Sequence, residues 1–512
     1  MVSAVYSATP APARAAPAIP GSALVIAPGL VEYVILALAT VLSLIGVSMD
    51  IGVPQWFNVP PPVMIAVALS WGCYVMLRRD RVAVWLPMLW FRAVMIAYSG
   101  IGTLVPVFGN DATLKSMNSF YELYPADIAK YNLVICVFTL LVLLCATLSA
   151  RGARLFEALS GKITATRSAL DTYRFGLVAL AVGTVVQVFT TYLPTLYGAP
   201  PYLTGSVGLL ALAANIGYAM LVYVGLSGRR SALWIALPLA ALAAFFGLLN
   251  FNKTEIIMPM MFVLLGAIHY RARLGLIMAG SAVIVLAYMS LMPLASYGRQ
   301  VDWQDGGFRR AQFSRSLEIL SAYSAREANR ASEMEQAQDA WQRLSYVGPG
   351  AFAIALYDQG RPGNSLQGAL LALVPRIVWP DKPIVTDIAR EFNYAATGNW
   401  ESQSVPGIPA EGYWVGGWIG VLGYALVFGW VVVLWSYYAI GVVRGEAWHL
   451  MLIVALGIRV ATRVDGMLVT DTISMVIYAV AAHVVLSLLN SFALTNPRSP
   501  LRQPAIAGGA AG

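Results

Sequence analysis

Two cations are held on an unusually stiff stretch of backbone in the second half of the sequence. Arg376 and Lys382 lie in Leu373–Pro383 (LVPRIVWPDKP), which contains three prolines. Proline fixes φ and removes a hydrogen-bond donor, so the segment is predicted to form a rigid extended turn. A planar guanidinium and a compact ammonium on such a turn suit a phosphate or diphosphate group. A basic anchor that contacts lipid headgroups is the alternative, and the residues alone leave both open.

Charged residues inside apolar runs form a second group of candidates. Arg459 and Arg463 are four residues apart, so we expect them to share a helix face, with Asp465 close by. Ionised groups at hydrocarbon depth are costly and usually face a cavity or a partner. Binding of an anion and structural pairing with another helix are both open. Arg92, in an earlier apolar run, is treated in the same way.

Lys253 lies in a polar break, Asn250–Glu255, between two apolar runs. The run that follows is short, so the break could be drawn into the membrane and could expose the N-terminal amides of a helix to an anion. A plain tight turn is the alternative.

The composition identifies the elements that must position these residues. Hydrophobic residues make up 59% of the 512 positions, charged residues only 11%, and the mean hydropathy is +0.69. A soluble domain carries about 25% charge. The apolar runs are of the length that crosses about 30 Å of hydrocarbon, and they do not alternate as barrel strands do. An all-α polytopic membrane protein is predicted, with its three cysteines inside spans and no disulfide or metal site implied.

Hydropathy predicts twelve spans. Gly416, Gly417, Gly420 and Gly423 begin the tenth and predict close helix packing. The spans are Leu30–Val47, Pro61–Leu77, Val82–Val105, Ile128–Ser149, Phe175–Leu193, Gly205–Leu226, Ala232–Leu249, Ile256–Tyr270, Leu274–Leu294, Tyr413–Tyr438, His449–Val469 and Thr472–Leu489.

The orientation follows from the basic residues, because cytoplasmic loops retain Lys and Arg. They cluster in every second loop, which predicts that both termini are cytoplasmic. Residues 1–28 are expected to be a disordered cytoplasmic tail, and 491–512 a second cytoplasmic tail. The basic clusters are Arg78, Arg79 and Arg81; Arg151, Arg154, Lys162, Arg167 and Arg174; Arg229 and Arg230; Arg271 and Arg273; Arg444; and Arg498 and Arg502.

Between helices 1–9 (residues 29–295) and helices 10–12 (residues 413–490), the segment 296–412 is predicted to be a long external loop. It carries eleven Lys and Arg, including Arg343 and Arg361. Long loops escape the charge rule, so the topology is unaffected. Amphipathic helix is expected around Phe313–Leu320 and 334–344. Two short apolar stretches, Ala351–Tyr357 and Ser365–Val378, are expected to be interfacial or re-entrant.

A proton acceptor on the external side is expected to be a carboxylate. The three histidines, His269, His449 and His483, map to the cytoplasmic side or to span interiors. Glu411, in an Ala-Glu-Gly-Tyr motif, is the first choice for a general base. A helix-capping or structural role for Glu411 is equally open. The remaining candidates are Asp387, Glu391 and Glu401.

The external motifs resemble those of the bacterial Wzy-type polymerases of O-antigen and exopolysaccharide repeat units. The matching strings are Pro-Arg-x-x-Trp-Pro-Asp-Lys-Pro at 375–383, Arg-Pro-Gly-Asn-Ser at 361–365 and Pro-Ala-Glu-Gly-Tyr-Trp-Val-Gly-Gly at 409–417. They cover about sixty residues, and the topology matches across most of the chain. Lys253 resembles the basic residue at the corresponding helix break in this group.

The resemblance implies a GT-C-like fold in the bacterial inner membrane and a membrane glycosyltransferase. Related enzymes that use a metal usually place acidic residues in the first external loop, and here that loop offers only Asp50, so a metal-independent enzyme with no cofactor is predicted. Its donor and acceptor would be undecaprenyl-diphosphate-linked oligosaccharides in membrane lipid, and a chain-length regulator could be a partner; no nucleic acid is expected. Glu411, Arg376 and Lys382 would be catalytic. The diphosphate would be bound by Arg343, Arg361, Lys253, Arg459 and Arg463. A lipid-linked oligosaccharide flippase and a non-enzymatic subunit of an export complex are the rival functions.

The role of Arg376 leads to a first prediction. Removing one preplaced donor to a leaving group typically costs about 100- to 1000-fold in rate. Arg376→Ala should therefore abolish long-chain polymer, read as the ladder of chain lengths on a gel, while the protein stays in the membrane. A normal ladder from this variant would refute the role.

Overall fold

The computed structural model describes residues 25–49, 52–121, 123–151, 168–197, 205–304, 313–327, 341–366, 387–398 and 405–495, together with positions 158, 162–163 and 400. Every regular element in these ranges is helical. The principal helices are α1 (Leu30–Met49), α2 (Pro60–Arg79), α3 (Pro87–Phe108), α4 (Asp111–Phe120), α5 (Pro125–Arg151), α6 (Thr172–Tyr197), α7 (Gly208–Leu226), α8 (Ser231–Leu249), α9 (Lys253–Tyr270), α10 (Leu274–Gln304), α11 (Phe313–Glu327), α12 (Val347–Asp358), α13 (Asp387–Thr397), α14 (Ile408–Arg444), α15 (Met451–Thr462) and α16 (Leu468–Ala493).

Among the described residues, ten helices are long and apolar enough to cross a membrane. Two shorter apolar helices, Glu255–Tyr270 and Trp448–Thr462, coincide with the predicted eighth and eleventh spans. Large apolar side chains point outward from this bundle, as Leu286 does on α10 and Ile419 on α14. A surface of that kind is unfavourable in water and favourable in lipid. The predicted all-α polytopic membrane architecture is thereby confirmed.

The helix ends fall into two groups. At one end of the bundle, Arg444 at the end of α14 pairs with Asp80, which follows α2 (Nη2 to Oδ2, 2.6 Å). At the other end, the side chain of Asn58, before α2, donates to the carbonyl of Pro125 at the start of α5 (2.9 Å). Arg78 and Arg79, at the end of α2, belong to the first group with Arg444, and we call it the basic end. The second is the opposite end. This grouping agrees with the predicted alternation of spans.

Two helix boundaries differ from the predicted ones. α3 begins at Pro87, because the carboxylate of Asp80 caps a separate 3-10 turn, Arg81–Trp85, by accepting from the amide of Val82 (2.9 Å). Arg92 therefore lies near the start of its helix and not halfway along it. α10 continues to Gln304, ten residues beyond its predicted end.

Arg92 forms a completely buried ion pair with Glu32 of α1. The guanidinium Nε and Nη2 donate to the two carboxylate oxygens at 2.8 and 3.3 Å, and the side chains are 0% and 1% exposed. Gly72 of α2 leaves the room for this contact, since a Cβ at that position would meet Glu32 Oε1 at 2.5 Å. The pair therefore joins α1, α2 and α3, and it has the structural role that the sequence left open for Arg92.

Removing one partner of the Arg92–Glu32 pair should cost more stability than replacing both partners with apolar residues. Removing one partner of a buried ion pair leaves an uncompensated charge and typically costs about 3–5 kcal/mol, whereas apolar replacement of both is often neutral. Arg92→Met and Glu32→Met should each lower the melting temperature in detergent, and the double variant should recover most of the loss. A double variant as unstable as the sum of the two single ones would contradict this account.

Candidate functional site

Helix α15 ends inside the membrane. Its twelve residues rise about 18 Å at 1.5 Å per residue, whereas the hydrocarbon is about 30 Å thick. Arg463 follows the last helical residue, Thr462, with φ −99° and ψ 37°. The prediction that Arg459 and Arg463 share a helix face is therefore wrong, because the helix ends between them. The chain instead breaks at 463–467 before α16 begins.

An outer segment enters the bundle to meet this break. The indole of Trp341 donates to the carbonyl of Ile101 in α3 (2.8 Å), and the hydroxyl of Tyr346 donates to Asp465 Oδ2 (3.0 Å). Tyr346 is the residue before α12, which contains the predicted apolar stretch Ala351–Tyr357. Helix α12 is too short to span, packs against α5 and α14, and has a largely buried surface. It starts beside Asp465 and extends to the opposite end of the bundle.

The first part of α14 also starts at the break. The amide of Ile408 donates to the carbonyl of Val464 (2.9 Å), and residues 408–414 are buried. Gly417 then interrupts the helix with a φ of +57°, a value that glycine adopts with little strain. The short helix 408–415 folds back on the helix that follows, so that a Cβ on Gly420 would meet the carbonyl oxygen of Gly412 at 1.9 Å. Of the four glycines predicted to pack closely, Gly417 and Gly420 serve this fold-back within α14, whereas a Cβ on Gly416 or Gly423 would meet no atom within 4 Å.

The N-termini of three helices meet here: α12, the short helix 408–415, and α16. Each presents backbone N–H groups without partners inside the helix and a positive dipole end. Two carboxylates cap α16. Glu411 Oε2 accepts from the amide of Leu468 (2.8 Å), and Asp471 Oδ2 accepts from the amide of Met467 (3.1 Å). The remaining helix ends favour a further anion.

We call Tyr98, Tyr346, Arg459, Arg463, Asp465 and Asp471 the arginine cluster. Arg463 pairs with Asp471 (Nε to Oδ1, 3.4 Å), yet its side chain is still 47% exposed. An arginine guanidinium stays protonated in proteins. Arg463 is therefore charged and reachable at membrane depth, the situation expected of a water-filled cavity or a ligand site.

Asp465 is held by two tyrosines of different elements. The hydroxyls of Tyr98 and Tyr346 both donate to its Oδ2 (3.4 and 3.0 Å), and the rings contact each other with centroids 5.1 Å apart. A phenolic hydroxyl can donate a hydrogen bond, whereas an ionised carboxylate can only accept one. Tyr346 is therefore the donor and the Asp465 carboxylate the acceptor.

The cations predicted on the external segment 296–412 divide into three groups. Arg343 is exposed and lies between Trp341 and Tyr346, so it belongs to the segment docked on the arginine cluster. Arg361 is exposed at the opposite end of the bundle, where its carbonyl accepts from the indole of Trp414 (3.2 Å). Arg376 and Lys382 lie outside the described residues.

Lys253 begins α9, and its side chain also lies outside the described part. The break before it is a closed turn. Phe251 is buried with a φ of +51°, and the Asn252 side chain donates to Glu255 (3.0 Å). This is the tight turn that the sequence left open.

Glu411 is completely enclosed. It is 0% exposed, and besides the Leu468 amide it accepts from the hydroxyl of Tyr424 (Oη to Oε1, 3.4 Å), which also bonds Ser365 (2.9 Å). Glu411 thus links the 361–366 segment, α14 and α16. This geometry corresponds to the capping role that the sequence left open beside the role of base.

Several residues that form these buried or polar contacts were not predicted from the sequence. Asp471 and Glu32 stand inside or at the edge of apolar runs, and that position alone could have marked them. Tyr98 and Tyr346 gave no such signal. A separate group at the opposite end was also missed: Lys130 of α5 pairs with Asp358, which accepts from the hydroxyl of Tyr413 (3.1 Å).

Within the described ranges, no three His, Cys, Asp or Glu side chains come together as a metal site would require. No protein-family model, curated protein or solved structure gives a significant match to this chain.

The fold-back of α14 can be tested at two glycines. Gly420→Ala should lower the melting temperature markedly, because the new methyl group would overlap the Gly412 carbonyl oxygen. Gly423→Ala is the matched control, since no atom lies within 4 Å of a Cβ there, and it should be neutral or slightly stabilising. Equal melting temperatures for the two variants would argue against this backbone contact.

Proposed function

We propose that this chain is a membrane glycosyltransferase that polymerises undecaprenyl-diphosphate-linked oligosaccharide repeat units. In this proposal the basic end faces the cytoplasm, the two short apolar helices complete a twelve-span, GT-C-like bundle in the inner membrane, and the reaction takes place on the periplasmic side. The resemblance of the 361–365, 375–383 and 409–417 strings to Wzy-type polymerases supports the choice of substrate.

One observation carries the proposal: exposed arginines and the N-termini of three helices meet at membrane depth, where α15 ends. A lipid diphosphate carries its charge next to its hydrocarbon tail, so its headgroup needs cations close to the hydrocarbon. Arg459 is half-buried and Arg463 half-exposed at this depth, and Arg343 lies on the segment docked beside them. Helix N-termini that point at an anionic substrate group at this depth are a known solution among membrane proteins.

The same arrangement can lower the barrier of glycosyl transfer. When the sugar leaves its carrier, negative charge develops on the diphosphate oxygen. Fixed cations in a site of low dielectric stabilise that charge without reorganising during the reaction. Arg459 and Arg463 are assigned to this role. Arg376, Lys382 and Arg361 are assigned to the outer part of the donor site, and Lys253 to its margin.

The rival functions require different charge placements. A transporter is expected to place charges along a central path near the midplane. The Arg92–Glu32 pair, which lies nearer the basic end, is sealed from solvent and joins three helices. The exposed charges of the arginine cluster instead connect to the outer segment through Tyr346.

Reconstitution in liposomes, with lipid-linked repeat units from host cells that lack this chain, separates the candidates. Polymer formation supports the proposal, and movement of unchanged substrate between leaflets supports a flippase. The absence of both polymer formation and substrate movement supports a non-enzymatic subunit.

Arg463→Ala is the sharpest variant for this assay. Loss of one charge-stabilising donor should reduce polymer formation about 100-fold or more, with binding of undecaprenyl diphosphate also weakened. Arg315→Ala is the control, because Arg315 pairs with Glu318 on the surface of α11 (2.8 Å) and away from the cluster. It should retain activity. Equal polymer formation by the two variants would remove the arginine cluster from the mechanism.

A further inference from the structure

The three carboxylates around the break at 463–467 are bound in two different ways. Glu411 and Asp471 accept hydrogen bonds from the backbone amides of Leu468 and Met467, so both hold the start of α16. Removing either would leave helix amides without an acceptor. Asp465 is instead bound by tyrosine side chains. The first two carboxylates are accounted for by the fold, and Asp465 is the one whose position calls for another explanation.

The position of Asp465 is fixed with respect to the arginines. It follows Arg463 by two residues, and Oδ2 takes the hydroxyls of both Tyr98 and Tyr346. These tyrosines come from α3 and from the entry of α12, so two independent elements orient the carboxylate. Asp465 is half-buried, unlike Glu411, which is completely enclosed. A carboxylate held in a fixed position beside the proposed diphosphate site meets one requirement of a general base, which must be positioned before the proton is transferred.

We infer that Asp465 is the base that activates the acceptor sugar, an inference that rests on the proposed function. The acceptor hydroxyl oxygen forms a bond to the anomeric carbon of the donor while its proton passes to the Asp465 carboxylate. The bond from that carbon to the diphosphate oxygen breaks, and the electron pair remains on the diphosphate beside Arg459 and Arg463. The proton then leaves Asp465 for water, so the side chain is regenerated and no further reactant is consumed.

The tyrosines act through Asp465 and are positioning residues. Each donates to the oxygen Oδ2 and restricts how the carboxylate turns. Tyr346 also ties Asp465 to the outer segment that carries Arg343. Docking of that segment therefore helps to fix the position of Asp465.

The test separates turnover from binding. Asp465→Asn keeps the shape of the side chain and an oxygen that accepts from tyrosine, but it cannot take the proton. Polymer formation in liposomes should fall about 100-fold or more, in line with the loss of a general base. Binding of undecaprenyl diphosphate in detergent should be unchanged or tighter, because a negative charge beside the anion has been removed. Tyr346→Phe should lose less turnover than Asp465→Asn.

Asp171→Asn is the matched control. Asp171 is a partly exposed carboxylate just before α6, paired with Arg174, and this variant should retain turnover because asparagine also caps helices well. An Asp465→Asn variant within about threefold of the wild-type rate would overturn the assignment. If Asp465→Asn lost binding of undecaprenyl diphosphate together with turnover, the assignment would also be overturned, because that result would indicate a structural role for Asp465. A wild-type protein that forms no glycosidic bond refutes the proposed function itself, and this inference with it.

Discussion

A helix that ends inside hydrocarbon leaves backbone groups and flanking charges where no water is available to solvate them. Each unsatisfied group costs several kcal/mol there, so such an end persists only where protein or a water-filled space covers it. Helix α15 ends in this way, and the chain around it is organised to satisfy the consequences. Two segments enter the bundle, at Tyr346 and at Ile408, and both are bonded to residues of the break itself.

The segments that contact the break after α15 are far apart in sequence, so the site forms only when the whole chain has folded. Tyr98, Tyr346 and Asp465 come from α3, the entry of α12 and the break after α15. Glu411 joins α14 to α16 and, through Tyr424, to the 361–366 segment. Loop-closure entropy must be overcome before contacts at such separations form. The arginine cluster therefore exists only where these distant segments have come together.

Much of the architecture could be predicted from the sequence, because span length and loop charge follow directly from the bilayer. The apolar helices and the grouping of their ends needed nothing more than hydropathy and the placement of arginines. The candidate site was harder to predict from the sequence. The four-residue spacing suggested that Arg459 and Arg463 shared a helix face, but the helix ends at Thr462, just before the Asp465-Gly466 pair that is typical of a turn. The break depends on tertiary contacts such as the bond from Ile408 to Val464, and sequence spacing carries no information about them.

The ion pairs Arg92–Glu32 and Arg463–Asp471 both join an arginine to a carboxylate, but they differ in how far each is exposed. Arg92 and Glu32 are bonded through both carboxylate oxygens and sealed from solvent, so neither charge can be offered to another molecule. Arg463 meets Asp471 at a longer distance with nearly half of its side chain exposed, and a second carboxylate lies two residues away. A pair in that state can exchange its partner for an incoming anion at low cost, because exposed ion pairs contribute little to stability. Depth in the membrane alone therefore does not mark a functional charge; the distinction lies in whether its partner can be replaced.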